Sequence, residues 1–233
     1  MAASILKLVS LRELGLRNHV EQALLPSGIA EIDRLIKGVP RGSISEVIGE
    51  DGSGRTSLAL TVLAAAARRG EVCAYIDISG AFDPMAASMN GAGLNKLIWV
   101  RCNGDLGTGL KALGEVLSAG GFGIVILDIA GVSRREVKKI PDAYWHRYRL
   151  ALEHTETILL LLGRELTARN CAVLQLGVRT HKKQWAQCRG ALRGNNLFQG
   201  LTFELALLKS AIHRSNFKNE EAPAIITARP RFV

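Results

Sequence analysis

The chain has 233 residues, 48% of them hydrophobic and 22% charged, a balance that suits a domain with a real core. Lys and Arg total 30 against 21 Asp and Glu, giving a net charge of +9 and a pI near 9.7; this favours polyanionic partners, although the same charge serves solubility. Lys7, Arg12 and Glu13 interrupt the apolar start, and the longest mainly apolar run without a charge, residues 57–67, falls short of the roughly 20 that a membrane helix needs, so neither a secretory signal nor a membrane span is expected.

Residues 5–25 carry apolar positions at three- and four-residue steps (Leu8, Leu11, Leu14, Val20, Leu24), which predicts an amphipathic helical lead over residues 1–25 ahead of a core domain over 26–233. Pro26 to Gly28 breaks it. Residues 29–36 read as a short helix ended by Gly38 and Pro40, and the β-branched run 44–48 as a buried strand. A glycine-rich segment follows at once. Residues 55–68 are alanine- and leucine-rich and predict a helix, 71–78 a strand, and 84–89 a brief helix with Asp83 as cap and Pro84 in its first position. Strand (97–101), helix (106–118) and a strand apolar on both faces (123–128) continue the alternation. Beyond Pro141, residues 143–153 read as helix, the apolar stretch 155–168 as helix by its length, and 171–178 as strand. Residues 202–209 and 224–228 complete the series, and 215–222 reads as a polar, linker-like loop. This order predicts an α/β fold with a mostly parallel sheet, helices on both faces and antiparallel strands added on the C-terminal side.

Gly49-Glu50-Asp51-Gly52-Ser53-Gly54-Arg55-Thr56 lies between a strand and a helix, with the spacing G-x-x-x-x-G-[K/R]-[S/T]. Glycines let backbone amides turn toward an anion, and the helix start adds its field. Gly49, Gly52, Ser53, Gly54, Arg55, Thr56 and Ser57 are therefore candidate phosphate-binding residues for ATP. Thr56 could place a hydroxyl on Mg²⁺, and Asp128, which ends an apolar strand, could hold that ion's water shell. Arg55 stands where the motif has Lys; a planar fork replaces a compact ammonium, which keeps the charge and changes the fit.

These segments resemble the RecA recombinase family. Residues 27–33 (SGIAEID), 38–49 (GVPRGSISEVIG), the loop itself, 73–77 (CAYID) and 81–84 (AFDP) follow that family's core in order and spacing. Residues 97–102 (LIWVRC) are similar to a strand of the RecA-related ImuA proteins, accessory factors of bacterial mutagenic repair. The resemblance implies a RecA-like P-loop core, ATP with Mg²⁺, and a role in the response to DNA damage. It also implies departures. The family's catalytic glutamate falls at Ser79, a neutral hydroxyl that cannot act as base, and Arg55 replaces lysine, so vigorous hydrolysis is not expected. RecA's N-terminal oligomerisation arm and separate C-terminal domain have no visible counterpart, so a RecA-type filament is not expected, while other oligomers stay open.

Between Glu165 and Glu204 no acidic residue occurs, while Arg169, Arg179, Lys182, Lys183, Arg189 and Arg193 surround Trp185. Cations that track phosphates beside a stacking ring suit single-stranded DNA. A solvated loop, or a docking surface for a recombinase or translesion polymerase, fits the same composition. Arg134, Arg135, Lys138 and Lys139 form a second basic cluster near where the family's other DNA loop would begin. Cys73, Cys102, Cys171 and Cys188 form no C-x-x-C pair, and His19, His146, His154, His181 and His213 show no ligand spacing, so cytoplasmic thiols and non-metal histidines are expected. Three functions remain: a repair accessory protein, a slow DNA-dependent ATPase, or a nucleotide-sensing scaffold without turnover.

Overall fold

The computed structural model describes residues 23–187, 196–211 and 224–228. Strand β1 (Leu24–Leu25) pairs antiparallel with β2 (Val39–Pro40), and the short helix α1 (Ala30–Ile36) lies between them. The end of the expected helical lead is thus a strand. Leu25 precedes Pro26, which biases it to extended backbone, and it is fully buried. Residues 1–22, the rest of that lead, lie outside the described residues.

The main sheet begins with β3 (Ser43–Ile48), followed by α2 (Arg55–Arg68), β4 (Val72–Asp77), α3 (Pro84–Met89), β5 (Leu97–Arg101), α4 (Leu106–Ala119) and β6 (Phe122–Asp128). Asp83 caps α3 by accepting from the Met85 amide at 2.8 Å. A single turn, α5 (Arg134–Val137), precedes α6 (Asp142–Leu152) and β7 (Ile158–Gly163). The ribbon β8 (Ala172–Gln187) and β9 (Asn196–Ser210) and the strand β10 (Ala224–Ala228) complete it. The order across the sheet is β10-β9-β8-β3-β7-β6-β4-β5. From β8 to β5 every neighbour is parallel; β9 and β10 add antiparallel.

Two readings are corrected here. The stretch 155–168, expected to be helix, holds β7, which lies between β3 and β6 and pairs with both. Its length misled because a connection follows the strand. Ile158, Leu160 and Leu162 face one core and Leu159 and Leu161 the other, the period of a strand covered on both sides. The basic stretch after Val178, expected to be loop, continues β8 to Gln187, pairing with β9 down to Gln187 opposite Asn196. The expected linker over 215–222 lies outside the described residues.

Alternation along the strands divides the core. Cys73, Tyr75, Ile124 and Ile126 pack with Leu58, Leu63 and Ile32 from α2 and α1. Ala74, Ile76, Val125 and Leu127 pack with Leu113, Trp145 and Tyr148 from α4 and α6. Trp145 and Tyr148 meet edge-on at 6.0 Å, and the Tyr148 hydroxyl donates to the Leu110 carbonyl at 2.7 Å. Glu46 is buried in the middle of β3; it accepts from the Thr167 and Ala168 amides and from Gln175 Nε2, which fixes the turn between β7 and β8. Burial raises its pKa, and those hydrogen bonds oppose the rise.

Leu161→Ala, in the middle of β7, is expected to cost about 2–5 kcal/mol in urea unfolding, whereas exposed Leu150→Ala on α6 changes stability by less than about 1 kcal/mol. Equal, small losses at the two positions contradict a two-faced central strand.

Candidate functional site: a phosphate loop at the carboxyl edge of the sheet

Parallel strands that all point one way deliver their C-terminal ends to a single edge, the usual ligand crevice of such sheets. Here β3 ends in the loop from Gly49 to Gly54, β4 in Asp77, β6 in Asp128 and β7 in Gly163, with Arg164 just after it. The loop is shaped by its glycines. Gly52 (φ +75°) and Gly54 (φ +97°) adopt left-handed backbone, and a Cβ on Gly49 would lie 2.5 Å from both Ser53 Oγ and the Val178 carbonyl. Gly54 caps α2 without a side chain; Ser53 Oγ accepts from the Arg55 amide at 3.4 Å, and the Thr56 and Ser57 amides of this 14-residue helix face the loop as donors for an anion.

Arg55 is only 7% exposed. Its NH1 donates to the Gly49 carbonyl, and to the Gly163 carbonyl at 3.1 Å, joining the ends of β3 and β7. NH2 lies 3.8 Å from Asp51 Oδ1, and buried Nε has no hydrogen-bond partner. The loop's acids are clasped from outside: Arg164 holds Asp51 Oδ2 at 2.8 Å and Arg134 holds Glu50 Oε1 at 3.1 Å. Thr180 Oγ1 donates to the Gly52 carbonyl at 2.8 Å, tying the β8 ribbon to the loop. An open cleft of about 600 Å³ separates loop and ribbon, bordered by Gly49, Asp51, Ser53, Arg164 and Arg179.

Thr56 is half-buried in the first turn of α2, and Ser57 beside it is exposed. Asp128 is 3% exposed; Oδ2 accepts from the Tyr75 hydroxyl at 2.8 Å and Oδ1 from the Ala130 amide at 3.0 Å. Burial raises the Asp128 pKa, opposed by those two hydrogen bonds and by the Arg55 charge. Tyr75 is pushed up by burial and by Asp128. Asp77 accepts from the Gly80, Ala81 and Phe82 amides and from Trp99 Nε1, fixing the loop that carries Ser79. Ser79 is exposed and packs so closely on Gly131 that a Cβ there would come within 2.5 Å of it.

The loop suits a triphosphate: left-handed glycines, a helix start capped only through the Arg55 amide, and an orphaned guanidinium nitrogen lie together near an open cleft. Asp128 suits a place in the water shell of magnesium, with one hydrogen bond accepted at each oxygen fixing its carboxylate. Among the described residues no three His, Cys, Asp or Glu are grouped to hold a metal ion directly. No described helix is long and apolar enough to cross a membrane.

The RecA N-terminal domain family matches residues 6–139, more than half of the chain. The chain belongs to that family. It is 34% identical over 141 residues to Protein RecA of Levilactobacillus brevis, covering 58% of this chain and 37% of the relative. It is also 34% identical over 124 residues to Protein RecA of Rickettsia massiliae, covering 51% and 35%. It therefore spans little more than a third of the RecA proteins it matches. A KaiC-like protein from Pyrococcus horikoshii shares the fold, with a TM-score of 0.57 over 89% of this chain and 99% of its own, at 14% identity. This is a RecA-like α/β fold with a mostly parallel sheet, as expected.

Of the basic residues, Arg179 is bound to Glu204 at 2.7 Å and Lys182 is exposed on β8. By backbone register Lys183 stands opposite Leu201 and Trp185 opposite Phe198; Arg189 and Arg193 lie outside the described residues. Arg134, Arg135, Lys138 and Lys139 are all exposed around α5. Sequence reasoning missed Arg164 and the roles of Asp51 and Glu50. An arginine after an apolar run carries no local signal of a partner 113 residues away.

Gly49→Ala is expected to lower the unfolding free energy by about 1–3 kcal/mol, read in urea, because the methyl meets Ser53 and the β8 backbone. A carboxyl whose folded pKa lies above its unfolded value favours folding while protonated, and that stability is lost as pH climbs through the folded pKa. Asp128→Asn in magnesium-free buffer is therefore expected to gain stability relative to the parent as pH rises above the ordinary carboxylate range. A difference independent of pH contradicts this.

Proposed function

We propose that the chain is an accessory protein of DNA recombination or repair, of the ImuA kind that its sequence resembles, with a nucleotide loop poorly equipped to cut ATP. The observation that carries this reading is the anchoring of Arg55: the cation that would neutralise charge on a transferring phosphate is held on the Gly49 and Gly163 carbonyls. Just past the end of β4, Ser79 offers no carboxylate to polarise a water, and loss of a positioned base forfeits roughly 10²- to 10⁴-fold in rate. Gly49, Gly52, Ser53, Gly54, Arg55, Thr56 and Ser57 would hold the phosphates, and Thr56 with Asp128 the shell of Mg²⁺. When bound there, ATP would supply the anionic phosphates that these donors meet.

The β8–β9 ribbon is the proposed contact to single-stranded DNA, through Lys182, Lys183 and Trp185 and, beyond the described residues, Arg189 and Arg193. Arg179 contributes less, because Glu204 already neutralises it. The hydrogen bond from Thr180 to Gly52 supports communication between ribbon and loop. A recombinase or a translesion polymerase is the protein partner that this role implies.

Fluorescence anisotropy with a labelled single-stranded oligonucleotide, together with phosphate release from Mg-ATP, tests the reading. Expected are binding that weakens steeply with salt and phosphate release at least about 100-fold slower than that of a RecA protein. Lys182→Ala should reduce the salt slope by about one phosphate contact. Failure to bind the oligonucleotide at low salt, with no association to a recombinase or polymerase, overturns the role; release at RecA rates overturns the degenerate site.

A further inference from the structure

Arg55 and Arg164 reach the phosphate loop from different elements, and each is incompletely used. In Arg55, NH1 is committed to two strand-end carbonyls, which leaves the edge formed by Nε and NH2. That edge has NH2 at 3.8 Å from Asp51 Oδ1 and a buried Nε without a partner. In Arg164, NH2 donates to Asp51 Oδ2 at 2.8 Å, and Nε is again buried without a partner. One carboxylate therefore lies between two guanidinium edges and satisfies neither nitrogen nearer the chain. An orphaned buried donor costs more than a made hydrogen bond returns, so two of them at one place mark an incomplete fit.

We infer that Asp51 is a built-in counter-ion standing in the place of a phosphoryl group, and that Arg55 and Arg164 form the two-sided receptor it covers. This rests on reading the loop as a phosphate site and adds the residue that regulates it. A terminal phosphoryl offers three oxygens in tetrahedral array where a carboxylate offers two in a plane, so it can serve both Nε–NH2 edges. Asp51 itself is 71% exposed and can swing into water when displaced. Glu50, the neighbouring acid, pairs instead with Arg134 on α5. The anion must therefore displace Asp51 to enter, which sets affinity and favours highly charged polyphosphates over monoanions.

Isothermal titration of the whole chain with inorganic tripolyphosphate, and separately with Mg-ATP, tests this, with circular dichroism to confirm folding of each variant. Asp51→Asn is expected to tighten tripolyphosphate binding by about fivefold, from removal of a partly exposed ion pair, and Glu50→Gln by less than about twofold. Adding Arg164→Ala to Asp51→Asn should cancel the gain. An Asp51→Asn protein that binds no tighter than the parent, or no tighter than Glu50→Gln, overturns the counter-ion role while parental binding keeps the phosphate-loop reading. If neither folded parent nor folded Asp51→Asn binds either probe at millimolar concentration, both readings fall. Mg-ATP gaining while tripolyphosphate does not locates the effect on the nucleoside and overturns the proposal.

Discussion

The Arg55 guanidinium spans the ends of two adjacent parallel strands, and the candidate site takes its form from that span. One nitrogen serves the carbonyls that terminate β3 and β7, so the cation of the phosphate loop is also a structural clamp. A lysine ammonium is a point donor on a flexible stem; a guanidinium has separate edges and can hold the strands while it presents another edge to a ligand. The acids of the loop follow from it. With an arginine buried at its base, the loop tolerates Asp51 and Glu50 side by side, each paired to an arginine outside the loop.

The same edge of the sheet brings together charges that the chain keeps far apart. Arg55, Tyr75 and Asp128 come from α2, β4 and β6; the neutral Tyr75 hydroxyl donates to Asp128, and the Arg55 charge acts on that buried carboxyl. Asp77 spends its carboxylate on the backbone of the loop that carries Ser79, and the aromatic series of Tyr75, Phe82 and Trp99, with centroids 4.4 and 5.3 Å apart, stiffens that corner. An edge organised in this way has fixed positions for binding a charged ligand and lacks a carboxylate at the position where the family resemblance puts its base.

Much of this was legible in the sequence because local chemistry agreed with the fold. The bounds of α2, α3, β5 and β10 follow from composition and capping, and the loop residues follow from glycine spacing between a strand and a helix. β7 was misread because strands buried on both faces lose the alternation that marks a strand, leaving length as a poor guide. The long β8 was hidden because polar, basic residues carry no core period; what extends the strand is pairing with β9, a partner far along the chain. Arg164 and buried Glu46 belong to the same class: their meaning lies in contacts across more than a hundred residues, to Asp51 and to the Thr167 amide.

Family membership accounts for the frame that positions the loop. RecA relatives match over a little more than a third of their length. The most direct measurement is a crystal structure with a non-hydrolysable ATP analogue and Mg²⁺. The account predicts phosphates on the amides of the Gly52 to Thr56 segment, Arg55 still on the Gly163 carbonyl with its Nε edge turned to the ligand, and Asp51 displaced into solvent. Phosphates bound away from the loop, or bound with Asp51 still seated between Arg55 and Arg164, would contradict it.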